Sequence, residues 1–197
     1  AGSAVAIFVS NWSTASGTTS QAKSDGGKWG IVGDPGGGLE VVAGAPLGFP
    51  SANCLRVTGK QSASGFARLA TTGLGVPAAG QSRFFRWYYR HEQPSLGDNS
   101  QHPIESGQTG GLDWVFNTWT LTNTTWRPEF RAGGDQLNAV LARWSGPVLQ
   151  RSVLYRFELQ IEKLSSTELR FHVRVFSGTG TLVAEDKDFT NDALGSG

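Results

Sequence analysis

Apolar and polar residues alternate along most of the chain in short runs, and clusters of Gly, Pro, Asn and Asp separate the runs. Alternation with a period of two is the signature of a strand buried on one side, and the clusters between are turn chemistry. The pattern predicts strands at Ala4 to Val9, Leu39 to Val42, Cys54 to Thr58, Gly65 to Ala70, Arg83 to His91, Trp114 to Thr120, Arg127 to Arg131, Leu154 to Lys163, Glu168 to Phe176 and Thr181 to Asp186. No helix of useful length is expected. The segments Ser24-Asp25-Gly26-Gly27, Asp34-Pro35-Gly36-Gly37-Gly38 and Arg131-Ala132-Gly133-Gly134-Asp135 read as loops, since glycine tolerates the positive φ of tight turns. Glu92 to Gly111 reads as the longest irregular stretch, of the kind that often carries function. So many short strands predict an all-β fold of two packed antiparallel sheets.

Alternation also assigns faces. In Arg83 to His91, one side carries Phe85, Trp87 and Tyr89, and the other Phe84, Arg86, Tyr88 and Arg90. Trp126, Pro128 and Phe130 oppose Arg127, Glu129 and Arg131, and Tyr155, Phe157, Leu159 and Ile161 oppose Arg156, Glu158, Gln160 and Glu162. Leu169, Phe171, Val173 and Val175 oppose Arg170, His172 and Arg174. Four strands thus offer greasy faces to a core and polar faces to something else. Water is the simplest partner, because the outer face of any packed sheet is polar and often carries cross-strand Arg–Glu pairs.

Composition shifts that balance. Of the 17 basic residues, twelve are Arg and five Lys, and seven of the Arg lie on these four polar faces. A solvated face has no reason to prefer Arg, whereas planar, bidentate recognition of carboxylate or sulfate does. With 197 residues, 27 Gly, 8 Pro and 17% charged residues, the chain suits a single turn-rich domain spanning residues 1–197, with neither a regular repeat nor a linker. The net charge of +1 supplies no global field for nucleic acid, and no apolar run approaches the roughly 20 residues that cross a bilayer. Neither nucleic acid nor membrane insertion is expected.

The sequence contains no Met, and Ala1-Gly2-Ser3-Ala4 reads as a terminus left by cleavage of a signal peptide or a tag. Export to the medium or the cell surface is the expectation. Cys54 is the single cysteine; it excludes an internal disulfide and reads as a small buried apolar residue. The sequons Asn11-Trp12-Ser13 and Asn123-Thr124-Thr125 carry little weight, because such tripeptides are common by chance.

The run Arg83-Phe84-Phe85-Arg86-Trp87-Tyr88-Tyr89-Arg90, with Tyr155-Arg156-Phe157-Glu158-Leu159, Phe171-His172-Val173-Arg174-Val175-Phe176, Gly180-Thr181-Leu182-Val183 and Asp188-Phe189, resembles the concanavalin A-like lectin/glucanase superfamily from about Leu39 onward. The resemblance implies a jelly-roll sandwich whose concave sheet face holds an extended polysaccharide. It lies in sheet pattern and supports fold more than activity. The Glu-x-Asp-x-x-Glu motif of the laminarinase-like hydrolases and the paired Asp and Asn metal site of the lectins are absent. Gln101-His102-Pro103-Ile104 is faintly similar to the Gln-Ile-His segment of alginate-lyase-like sandwiches, with the residues in a different order.

Three uses of the polar faces stay open. Binding an acidic glycan needs hydrogen-bonding and cationic groups, here Arg86, Arg90, Arg127, Glu129, Arg131, Arg156, Gln160 and Arg174, with sugar platforms among Trp114, Trp119, Trp126, Trp144 and Tyr88; Trp126 also falls on an apolar face. A lyase needs a base, an acid and a carboxylate clamp: His102 or His172, Tyr88, and Arg86, Arg90, Arg127 and Arg174. A hydrolase needs facing carboxylates, for which Glu129 and Glu158 are the candidates, although neighbouring Arg would hold both ionised. His91 follows the apolar face and reads as a buried, hydrogen-bonded residue. No cofactor is required; Asp98, Asp113, Asp186 and Asp188 are candidate ligands of a structural Ca²⁺, without an EF-hand spacing. A structural protein that assembles through strand edges is the remaining class.

Overall fold

The computed structural model describes residues 12, 16–28, 30–33, 38–57, 68–70, 77–92, 100–105, 113–133, 140–165 and 168–190. The strand expected at Ala4 to Val9, and Asp98, lie outside them. The chain divides into two compact units, Ala1–Gly73 and Leu74–Gly197.

In the first unit, β1 (Gly30–Gly33) pairs antiparallel with β4 (Arg68–Ala70), and β2 (Leu39–Ala43) with β3 (Asn53–Val57). A one-turn helix, Ser20–Lys23, and a 3-10 turn, Ala45–Leu47, are its other regular elements among the described residues. Leu39, Val41 and Cys54 are buried, as alternation on β2 and the small apolar character of Cys54 lead one to expect. Gly17 exchanges both backbone hydrogen bonds with Val41, at 2.8 and 3.0 Å, and extends this pairing by one bridge.

The second unit holds β5 (Ser82–Arg90), β6 (Ser100–Glu105), β7 (Asp113–Thr120), β8 (Thr125–Gly133), β9 (Val140–Ser145), β10 (Leu149–Gln150), β11 (Leu154–Lys163), β12 (Leu169–Ser177) and β13 (Leu182–Thr190). One antiparallel sheet runs β13-β12-β11-β5. The other runs β10-β8-β7-β6, with β9 also on β8. Their inner faces meet in an aromatic core: Trp87 of β5 lies edge-on to Phe116 of β7 at 5.2 Å and stacks on Phe157 of β11 at 5.6 Å, and Phe116 reaches Phe157 at 4.8 Å. Offset and edge-to-face rings at these separations add about 0.5–1.5 kcal/mol per pair beyond the burial of their surface.

The stretch expected to be irregular between Glu92 and Gly111 contains β6. That strand pairs with β7 through a register shift between Gln101 and Ile104, where Pro103 has no N–H for a ladder. The strands β1, β9 and β10 are likewise additions to the expected set. The all-β, antiparallel character expected from alternation is what the described residues show.

Candidate functional site

Registry across β5, β11, β12 and β13 sorts the outward side chains of one sheet into rows. Arg86 stands opposite Glu158, Glu158 opposite Arg174, and Arg174 opposite Glu185. One row over, Tyr88, Arg156 and Phe176 align; on the other side, Phe84, Gln160 and His172 align, followed by Ser82, Glu162 and Arg170. Because side chains two apart share a face, a single sheet surface therefore carries Arg86, Tyr88, Arg90, Arg156, Glu158, Gln160, His172 and Arg174.

Glu158 is the hub of this surface. Arg86 reaches its Oε1 through Nε and Nη2, both at 2.9 Å, Arg174 reaches Oε2 through Nη2 at 2.7 Å, and Arg156 Nε lies 3.4 Å from Oε1. Three guanidinium charges thus converge on one carboxylate, and with Glu185 opposite Arg174 in the same row the cluster keeps an excess of one positive charge. The carboxylate side chain is only 12% exposed, whereas Arg86 and Arg174 are 65% and 45% exposed, so the cations stand above the anion that orients them. The Phe176 ring holds Arg156 at 4.1 Å and Arg174 at 5.7 Å in cation–π contact.

At the margins Arg170 is 3.3 Å from Glu162 and Arg90 is paired with Glu92, and His172 Nε2 hydrogen-bonds Glu185 Oε1 at 2.8 Å. Burial raises the Glu92 carboxyl, but hydrogen bonds from Ser152 and Arg90 outweigh it and hold it below the usual range. A shallow depression beside Phe84 is lined by Gln160, Glu162, Arg170 and His172.

Tyr88 and His172 do not converge. They are separated by two strand spacings and two rows, on the order of 15 Å between Cα positions from strand spacing and rise, and do not meet at one point of the face. The side chain of His102, on β6, lies outside the described residues.

Arg127, Glu129 and Arg131 belong elsewhere. They alternate with Trp126 and Phe130 on β8 and so point outward from the other sheet, the aromatic core lying between them and Glu158. This separates residues that alternation alone had grouped together, and Glu129 and Glu158 do not face one another. Glu129 is buried, and both Arg131 and Arg143 ion-pair with it. Burial raises its carboxyl, yet the two guanidiniums more than compensate and keep it below the usual carboxylate range. Arg131 also lies over Trp119, 5.7 Å from the ring centroid.

Of the other candidate sugar platforms, Trp114, Trp126 and Trp144 are core residues. Phe84, 68% exposed, is the aromatic side chain that the polar face presents most openly among the described residues. Its place among Arg86, Tyr88 and Arg90 on the polar side of an alternating strand was the signal for it. Glu185 and Phe176 complete the rows, and only registry reveals their partners.

His91 is buried at 1% exposure, stacked on Trp126 at 5.2 Å. Burial, reinforced by Arg151 and opposed by Glu92, lowers its pKa to about 4. Burial also pushes the Tyr89 hydroxyl up to about 12. The Tyr89 hydroxyl hydrogen-bonds His91 Nδ1 at 3.0 Å and the Thr120 hydroxyl hydrogen-bonds Nε2 at 2.7 Å, so a neutral imidazole donates through one ring nitrogen and accepts through the other. Among the described residues no group of three or more His, Cys, Asp or Glu gathers as metal ligands would; the side chains of Asp113 and Asp188 lie outside them. No helix among the described residues is long and apolar enough to cross a membrane. No protein-family model, curated protein or solved structure matches this chain.

Proposed function

We propose that the outward face of β5, β11, β12 and β13 binds an acidic polysaccharide. The observation that carries this reading is the three-to-one meeting of Arg86, Arg156 and Arg174 on Glu158. A pair that only stabilised the sheet would need one cation for one anion. Guanidiniums that outnumber their carboxylates, partly exposed and held in place by a recessed carboxylate and an aromatic ring, are pre-organised for further carboxylate or sulfate groups. A face of exposed side chains spread over adjacent strands suits an extended polymer better than a small molecule, which takes a pocket. Two antiparallel sheets over one core support the finer fold reading, a jelly-roll sandwich similar to the concanavalin A-like superfamily, and a polymer ligand of this kind fits an exported protein.

The distance between Tyr88 and His172 favours binding over cleavage. Incubation of the protein with acidic and neutral polysaccharides, following retention on the polymer, reducing ends and the ultraviolet absorbance of unsaturated uronates, tests the reading. Retention on acidic polymers without product is the expected result. Unsaturated product would replace binding by β-elimination and direct mutagenesis to Tyr88. Absence of retention across the acidic panel would overturn the reading and leave a structural role.

A further inference from the structure

We infer that Phe84 and Tyr88 are sugar-stacking platforms on either side of Arg86, so that the ligand is a uronate oligomer lying along β5 rather than an isolated sugar. This rests on the reading of the face as a surface for acidic polysaccharide. Residues 84, 86 and 88 alternate onto the same side of β5. At about 3.4 Å of rise per residue, the Cα positions of Phe84 and Tyr88 are roughly 14 Å apart along the strand, with Arg86 midway in sequence between them. That span exceeds one pyranose ring.

Phe84 is 68% exposed, the highest value for any large hydrophobic side chain among the described residues. It sits in the row of Gln160 and His172, beside the shallow depression those residues line with Glu162 and Arg170. An aromatic face with polar hydrogen-bonding groups next to it complements a pyranose, which has a C–H face and a rim of hydroxyls. A uronate adds a carboxylate at the ring edge. Arg86 meets Glu158 through Nε and Nη2, which leaves its Nη1 hydrogens for that carboxylate. Aromatic, cation and aromatic thus follow one another along the strand in an order that a repeating acidic sugar can match.

A second copy of the chain is the competing occupant of an exposed aromatic. Face-to-face pairing about a two-fold axis would bring the excess of Arg86, Arg156 and Arg174 against its own image, which like-charge repulsion disfavours. The charge points to an anionic partner.

The test is calorimetric titration of polygalacturonate, of its oligomers of increasing length and of free galacturonate into the wild type, Phe84→Ala and Phe84→Trp, with sedimentation velocity on each protein. The wild type is expected to bind the polymer and longer oligomers and to prefer them to the monosaccharide. Phe84→Ala should weaken polymer binding about tenfold, as loss of one stacking contact implies, and Phe84→Trp should retain it, with its indole fluorescence shifting on binding. Thermal unfolding of Phe84→Ala should match the wild type, since the ring is exposed. If the wild type binds and Phe84→Ala binds equally well, the platform is wrong while the polysaccharide reading survives. If free galacturonate binds as tightly as the polymer, the strand-long ligand is wrong. A wild-type dimer that Phe84→Ala converts to monomer would assign the ring to self-association instead. Absence of wild-type binding to any acidic polymer removes both proposals together.

Discussion

At the scale of single residues, His91 is held between Tyr89 and Thr120 with its ring against Trp126, and the site has been shaped for a neutral imidazole. In the unfolded chain the same group takes up a proton near its ordinary pKa of 6.5, against about 4 in the fold. The stability this provides is complete above about pH 6.5 and is lost as the pH falls toward 4, because the unfolded chain is then the better proton acceptor. A shift of this size corresponds to about 3 kcal/mol. Urea unfolding followed from neutral pH down to about pH 5 should show the falling stability, and His91→Gln should flatten that slope; an unchanged slope in the variant would locate the pH dependence elsewhere. Glu129 makes a second test. Its buried carboxylate is the shared anion of Arg131 and Arg143, and Glu129→Gln leaves both cations under-compensated. The expected loss is about 2 kcal/mol, less than for a fully buried pair because both guanidiniums retain contact with water. Retention on polysaccharide should not change, because Glu129 points away from the β5–β11–β12–β13 face; denaturant unfolding and a binding assay on the same variant check the two halves.

At the scale of elements, Gly146 shows how closely the strands of the second sheet approach. It follows β9, its N–H reaches Pro128 O at 2.9 Å, and a Cβ placed on it would lie 2.6 Å from the Trp144 ring and 2.7 Å from Pro128 Cγ. Trp144 is a core side chain, so the ring cannot swing aside cheaply, and Gly146→Ala should destabilise by about 1–3 kcal/mol. An unchanged denaturation midpoint would show that the ring yields. The same elements show what could be read from sequence. β11 was legible from Leu154 to Lys163 because every second residue from Tyr155 to Ile161 is apolar and the intervening ones are charged or amide. β6 was not, since Pro103 and a register shift hide its alternation, and β10 is only two residues long. Alternation placed Arg86, Glu158 and Arg174 on outward faces correctly, and did the same for Arg127, Glu129 and Arg131. What it lacks is sheet membership: a face is defined relative to its own core, and two sheets packed together have two outward faces. Pairing between distant strands, β5 with β11 above all, decides which charges meet, and that contact spans a sequence separation no local pattern encodes.

At the scale of the whole molecule, a formal net charge of +1 conceals an uneven distribution. Pairs such as Arg90 with Glu92 and Arg170 with Glu162 neutralise the margins of the β5–β11–β12–β13 face, while the Glu158 cluster keeps an excess of positive charge at its centre. Binding that depends on this cluster is electrostatic at short range and weakens with salt, because the cations are exposed and are screened within a Debye length of about 10 Å at 0.1 M ionic strength. The most direct measurement is therefore the affinity of the wild type and of an Arg86→Ala/Arg174→Ala double variant for an acidic polysaccharide, each at low and at high salt. The account predicts measurable wild-type binding that falls with salt, and a loss of at least about tenfold in the double variant, worth about 1.4 kcal/mol, with little remaining salt dependence. A double variant that binds as tightly as the wild type, with the same response to salt, would contradict the assignment of this face as the binding surface.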